Sequence, residues 1–139
     1  MNERINDKIE EIEEYLSELE ELVPSDLEEY KSNKTTKAAC ERYVEKIIEG
    51  VVDLAFLAAK HLKIEIPEQT TDKDIFELLV KNNIISQELS KKLQEAKGMR
   101  NILAHEYGKI DDEIVFNSLK NELPDDTKDF TKSIKEHIN

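Results

Sequence analysis

The strongest constraint on this chain is an apolar stripe over residues 37–62. Cys40, Val44, Ile47, Ile48, Val51, Leu54, Ala55, Ala58 and Leu62 recur at intervals of three and four, which is the period of a helix with nearly half of its circumference buried. So broad an apolar face predicts a central core helix with others arrayed around it. The rest of the chain supplies them. Ile5, Ile9, Ile12, Leu16, Leu19 and Leu22 or Val23 mark an amphipathic helix stopped by Pro24, and Ser25 or Asp26 caps a short piece holding Leu27 and Tyr30. Residues 32–36 read as a loop or cap. After a connection ended by Pro67, Thr70 or Thr71 opens a short helix with Ile75, Phe76, Leu78, Leu79 and Val80, ending at Asn82 and Asn83. Ser86 opens another helix, and Asp111 and Asp112 cap a last one through Leu123, which Pro124 kinks or restarts before Phe130, Ile134 and Ile138. Three glycines, three prolines and 37% charged residues in 139 complete the reading. The expectation is an all-α, antiparallel bundle of about five helices, one domain over residues 1–139.

Charge excludes one class of partner. At a net charge of −12 most of the surface repels a phosphate backbone, so any RNA contact must be local, and a basic partner suits the surface as well. The glutamates of the first helix form a solvated face with no metal-ligand geometry. No apolar run approaches the roughly 20 residues needed to span a bilayer, and the chain opens on an acidic amphipathic pattern rather than a signal peptide. A cytoplasmic protein with no membrane contact, metal or cofactor is expected. The single cysteine, Cys40, lies on the apolar stripe and reads as a small buried hydrophobe.

Chemistry concentrates in residues 98–108, which gather Arg100, Asn101, His105 and Tyr107. On a regular helix Asn101 and His105 share one face and Arg100 and Tyr107 another, so Arg100 and His105 point apart. Bringing both onto one phosphate requires a helix that ends near His105, with Gly108 as its cap, or a second copy of the chain facing the first. Arg100 also interrupts an apolar line formed by Leu89, Leu93, Ala96, Leu103 and Tyr107, so it needs a partner. That partner is an ion pair, as with Asp53, or a phosphate at a subunit interface. Glu45, Glu49 and Asp53 form a polar stripe on the core helix, and Glu49 or Asp53 reaching across to orient Arg100 or His105 is the sharper alternative to a merely solvated face. Gly50 suggests close approach of another backbone, and Gly98 close approach of helices at a dimer interface that includes Leu103.

These residues carry a resemblance. The order of helices, the run Gly98-Met99-Arg100-Asn101, the spacing from Arg100 over four residues to His105 and over one more to Tyr107, and the following Ile110-Asp111 resemble the HepT family of HEPN (higher eukaryotes and prokaryotes nucleotide-binding) proteins. The similarity runs from the core helix onward and weakens in the first helix and the tail. It implies a homodimeric, metal-independent ribonuclease that is the toxin of a toxin–antitoxin pair, opposed by MntA, a small nucleotidyltransferase. It further implies Arg100 and His105 as the catalytic pair and Tyr107 as the adenylylated residue. The local chemistry agrees, since cutting RNA without a metal needs an acid or base for the 2′-hydroxyl and a cation for the charged phosphorane. Asn101 would orient substrate or histidine, and 2′,3′-cyclic phosphate ends would result. Two other readings stand beside this one: a non-catalytic helical partner of a nucleotidyltransferase that holds nucleotide or substrate, and a purely structural role for the three side chains.

Overall fold

The computed structural model describes residues 2–105 and 111–138, with the backbone alone at 104 and 105. Its elements are α1 (Glu3–Leu22), α2 (Leu27–Ser32), α3 (Lys34–His61), α4 (Asp72–Lys81), α5 (Gln87–His105), α6 (Asp112–Asn117), a π-helical turn (Ser118–Glu122) and α7 (Leu123–Ile138). The fold is all-α.

Helices α1 to α6 each begin where a short polar side chain takes up free backbone N–H groups. Asn2 accepts from Arg4 and Ile5, Asp26 from Glu29, and Asn33 from Thr36. Thr71 and Asp74 form a reciprocal capping box, Ser86 accepts from Leu89, and Asp111 from Glu113 and Ile114. Helix ends are equally local. Val23 turns extended because Pro24 disfavours a helical residue before it. Lys63 and Asn83, with φ of 59° and 61°, close α3 and α4 in the left-handed region usually reserved for glycine. The amides of Ile64 and Ile84 then reach back to Ala59 and Leu79, both at 2.9 Å.

α3 is the central element and packs against α1, α2, α4, α5 and α7. Pairings between the helices fix their directions. Lys8 meets Asp53 while Glu18 meets Tyr43, so α1 runs antiparallel to α3. Glu13 meets Lys135 and Glu20 meets Lys128, so α7 runs antiparallel to α1. Asp72 meets Lys97 and Glu77 meets Gln87, so α4 runs antiparallel to α5. Between them lies one cluster of buried side chains, in which Phe76 of α4 meets Phe130 of α7 edge-on at 6.0 Å between ring centroids.

Two elements differ from the sequence reading. α3 starts one turn earlier than residue 37, because Asn33 ends α2 and caps α3 at once. The break near Pro124 is a π turn rather than a kink: the Leu123 amide bonds to Ser118, five residues back. Pro124 has no N–H to continue the α register, and the slip falls immediately before it.

Gly50 is needed for a side chain and not for a backbone. A Cβ built on it would lie 2.9 Å from Cγ1 of Ile12, which is fully buried on α1. Gly50→Ala gains helix propensity but overpacks this contact, and a net loss of about 1–2 kcal/mol in urea unfolding is expected. In an Ile12→Ala background, which removes the obstructing atom, the same substitution should become neutral or stabilising.

Candidate functional site

Leu89, Leu93 and Leu103 bury one seam of α5, and Arg100 lies on that seam. Its Nη2 is 3.8 Å from Oε2 of Glu49 on α3, with the arginine side chain 22% and the glutamate 60% exposed. A pair so open to solvent is weak. The Arg100 Nε is buried and, among the described residues, has no hydrogen-bond partner. A guanidinium has five donors, so this one has capacity left for an incoming oxyanion, and leaving a buried donor unpaired costs free energy that such a ligand would recover.

Asp53, the other candidate partner, is placed elsewhere. One turn along α3 from Glu49, it lies 3.6 Å from Lys8 of α1. The rotation of α3 presents Glu49 to α5 and Asp53 to α1. Asn101 is half-buried on α5, and α5 is helical through His105, which sets positions 100 and 105 about 140° apart around the axis. The His105 side chain, Tyr107 and the Gly108 cap lie outside the described residues.

Gly98 leaves open space on α5, whereas Leu103 differs from expectation. A Cβ on Gly98 would meet, among the described residues, only the Lys73 ammonium of α4, at an ordinary 3.7 Å. Leu103 is 8% exposed and belongs to the core of its own chain, so Leu103→Asp would attack folding before association. The exposed large apolar residues among those described are Ile102, at 41%, and Ile114, at 64%. Ile114 lines a groove of about 280 Å³ between α5 and the α6–α7 segment, together with Ala96, Met99 and Asp126. Burial raises the Asp126 carboxyl above the usual range, with Lys92 opposing the shift.

Three features escaped sequence reading. Lys97 is buried and paired with Asp72 at 2.9 Å, while Glu77 accepts hydrogen bonds from Gln87, Ser90 and Gln94. Tyr43 donates to Glu18 at 2.7 Å. No local spacing announces partners so far apart in the chain. Cys40 is buried, and burial pushes its thiol up to about 11, so it stays protonated and unreactive. Among the described residues no three His, Cys, Asp or Glu side chains group as a metal site, and no helix is long and apolar enough to cross a membrane.

Comparison with known proteins places this arrangement in context. A protein 29% identical over 125 residues, covering 90% of this chain and 92% of its own length, is the mRNA nuclease HepT of Shewanella oneidensis. Another, also 29% identical over 117 residues and covering 83% and 77% of the two chains, is the tRNA nuclease HepT of Aphanizomenon flos-aquae. A solved structure of the tri-AMPylated Shewanella oneidensis HEPN toxin in complex with MNT antitoxin superposes with a TM-score of 0.89 at 27% identity, covering 98% of this chain and 99% of that one. The family model described as ribonuclease HepT-like matches residues 12–134, and the chain belongs to that family.

Proposed function

We propose that this chain is a metal-independent endoribonuclease, the cytoplasmic toxin of a toxin–antitoxin pair, working as a homodimer with Arg100 and His105 as its catalytic residues. The observation that carries this reading is Arg100 itself. It is a guanidinium on an apolar seam, loosely held by Glu49 and with a buried, unpartnered Nε, five positions before an imidazole in a family of ribonucleases. The nuclease relatives and the antitoxin complex of the Shewanella toxin support it.

The chemistry follows from these groups. The 2′-oxygen of the substrate attacks the adjacent phosphorus, and the bond from phosphorus to the 5′-oxygen breaks. The imidazole of His105 takes the 2′-hydroxyl proton or delivers one to the departing 5′-oxygen. Arg100 turns from Glu49 to the phosphorane, where charge develops, and Asn101 orients substrate or histidine. Since positions 100 and 105 diverge on one helix, a two-fold dimer supplies the convergence. The exposed Ile102 of α5 and the exposed Ile114, which shares a groove with Met99 of α5, support α5 as part of that interface.

The test is cleavage of RNA by the purified protein with chelator present. RNA should be cut, DNA of the same sequence spared for want of a 2′-hydroxyl, and the new ends should carry 2′,3′-cyclic phosphate. Loss of cleavage on chelation, or linear 3′-phosphates from the first turnover onward, would overturn the mechanism. If neither cleavage nor cellular toxicity is seen, the reading as a non-catalytic partner of a nucleotidyltransferase, which the net charge of −12 favours, takes its place.

A further inference from the structure

Resting on the ribonuclease reading, we propose that single-stranded RNA reaches the site along one stripe of α5, held by the ammonium groups of Lys73 and Lys91. Lys91, Gln94, Gly98, Asn101 and His105 recur at three, four, three and four, so these positions follow one another along a single face of the helix for about 21 Å. Lys91 and Gln94 line a groove of about 290 Å³ between α4 and α5, with Lys73, Glu77, Gln87 and Glu95. Gly98 is the next step along the stripe. Having no side chain, it leaves space that the Lys73 ammonium borders at 3.7 Å from where a Cβ would be, so a second cation enters the stripe from α4 just before Asn101.

The electrostatics favour this face over the others. Neither Lys73 nor Lys91 has a carboxylate within ion-pair distance among the described residues, whereas Lys97 is bound to Asp72 and Arg100 to Glu49. The groove's two lysines balance its two glutamates. Glu77 is further engaged, one of its oxygens accepting from Gln87 at 3.1 Å, Ser90 at 3.3 Å and Gln94 at 2.6 Å. The result is a strip of balanced charge on a protein of net charge −12. The neighbouring face of α5 fronts a groove lined by Met99 and Ile114, in which Glu95, Glu122 and Asp126 outnumber Lys92; it repels phosphate and suits a protein surface. The strip therefore offers two phosphate contacts, with the Gln94 amide oxygen between them as an acceptor for bases or sugars.

Binding is measured by fluorescence anisotropy with a single-stranded RNA methylated at its 2′-hydroxyls, which cannot be cut. One phosphate contact on a single strand contributes a salt slope of about 0.7, which amounts to about fivefold in affinity at ~0.1 M salt. Lys73→Gln and Lys91→Gln, both at exposed positions, should each weaken binding by that factor and flatten the slope by that amount. Lys60→Gln, at the far end of α3, should change neither. A Lys73→Gln/Lys91→Gln protein with wild-type affinity and slope overturns the proposal, as does a wild type that binds no such RNA. Cleavage of unmethylated RNA reports separately on the underlying reading. RNA held through the two lysines but never cut leaves the track standing without the ribonuclease; RNA cut with an unchanged KM by the double variant leaves the ribonuclease standing without the track.

Discussion

His105→Ala is expected to slow RNA cleavage by two or more orders of magnitude while leaving the melting temperature within a few degrees of wild type. The size follows from the loss of a general acid or base, which typically contributes 10²–10⁴-fold. Folding should be spared because the buried cluster is built by other side chains, among them Ile12 against Gly50 and Phe76 against Phe130. Arg100→Lys separates geometry from charge. Lysine keeps the positive charge but loses the planar fork that meets two oxygens at once, so a substantial fall in kcat with little change in KM is expected. Wild-type cleavage rates in His105→Ala would remove the imidazole from the mechanism, and wild-type rates in Arg100→Lys would reduce the arginine to a point charge.

The fold was legible where burial is periodic. The stripes of α1 and α3 show in the sequence because each buries one continuous face, and the helix starts show because Asp26, Thr71, Ser86 and Asp111 act on amides two or three residues away. What stayed hidden depends on contacts between elements. Whether Glu49 or Asp53 meets Arg100 is set by the rotation of α3 between α1 and α5, and by Lys8, which lies opposite Asp53. The partner of Gly50 depends on the depth at which Ile12 inserts, and periodicity gives direction but not depth. The π turn lies before a visible proline, yet a slipped register and a kink relieve the same missing donor and leave the same apolar spacing. Leu103 and Ile102 are adjacent in the chain, and only the packed α5 shows which of them is spare.

Treatment with a neighbouring MntA-like nucleotidyltransferase, ATP and Mg²⁺ is expected to add one or more adenylate masses at Tyr107 and to abolish RNA cleavage. In that expected reaction the phenol oxygen of Tyr107 would attack the α-phosphorus of ATP, forming the tyrosyl–phosphate bond and releasing pyrophosphate. That a relative, the Shewanella toxin, is found tri-AMPylated and in complex with its antitoxin supports such a step. The other tyrosines are poor acceptors for physical reasons. Tyr30 is fully buried, packs its ring at a tilt against Phe116 at 5.3 Å between centroids and has its phenol pushed far up by burial. The Tyr43 hydroxyl donates a hydrogen bond to Glu18 at 2.7 Å, and Tyr15 is half-buried, edge-on to Tyr43 and beneath the Lys46 ammonium. Tyr107 follows His105 by two residues, so each adenylate would bring a bulky base and a negative charge to the end of the helix that carries Arg100. There it can take the guanidinium donors left open by the loose Glu49 contact and repel the RNA backbone. Inhibition would then be electrostatic and steric together, and should persist at salt concentrations that screen charge alone. Tyr107→Phe should stay unmodified, keep cutting RNA and remain toxic in the presence of the partner's enzymatic activity. Intact-mass and peptide spectrometry decide the matter: adenylate on Tyr15, Tyr30 or Tyr43, or full inhibition of the phenylalanine variant by the same treatment, would sink the mechanism.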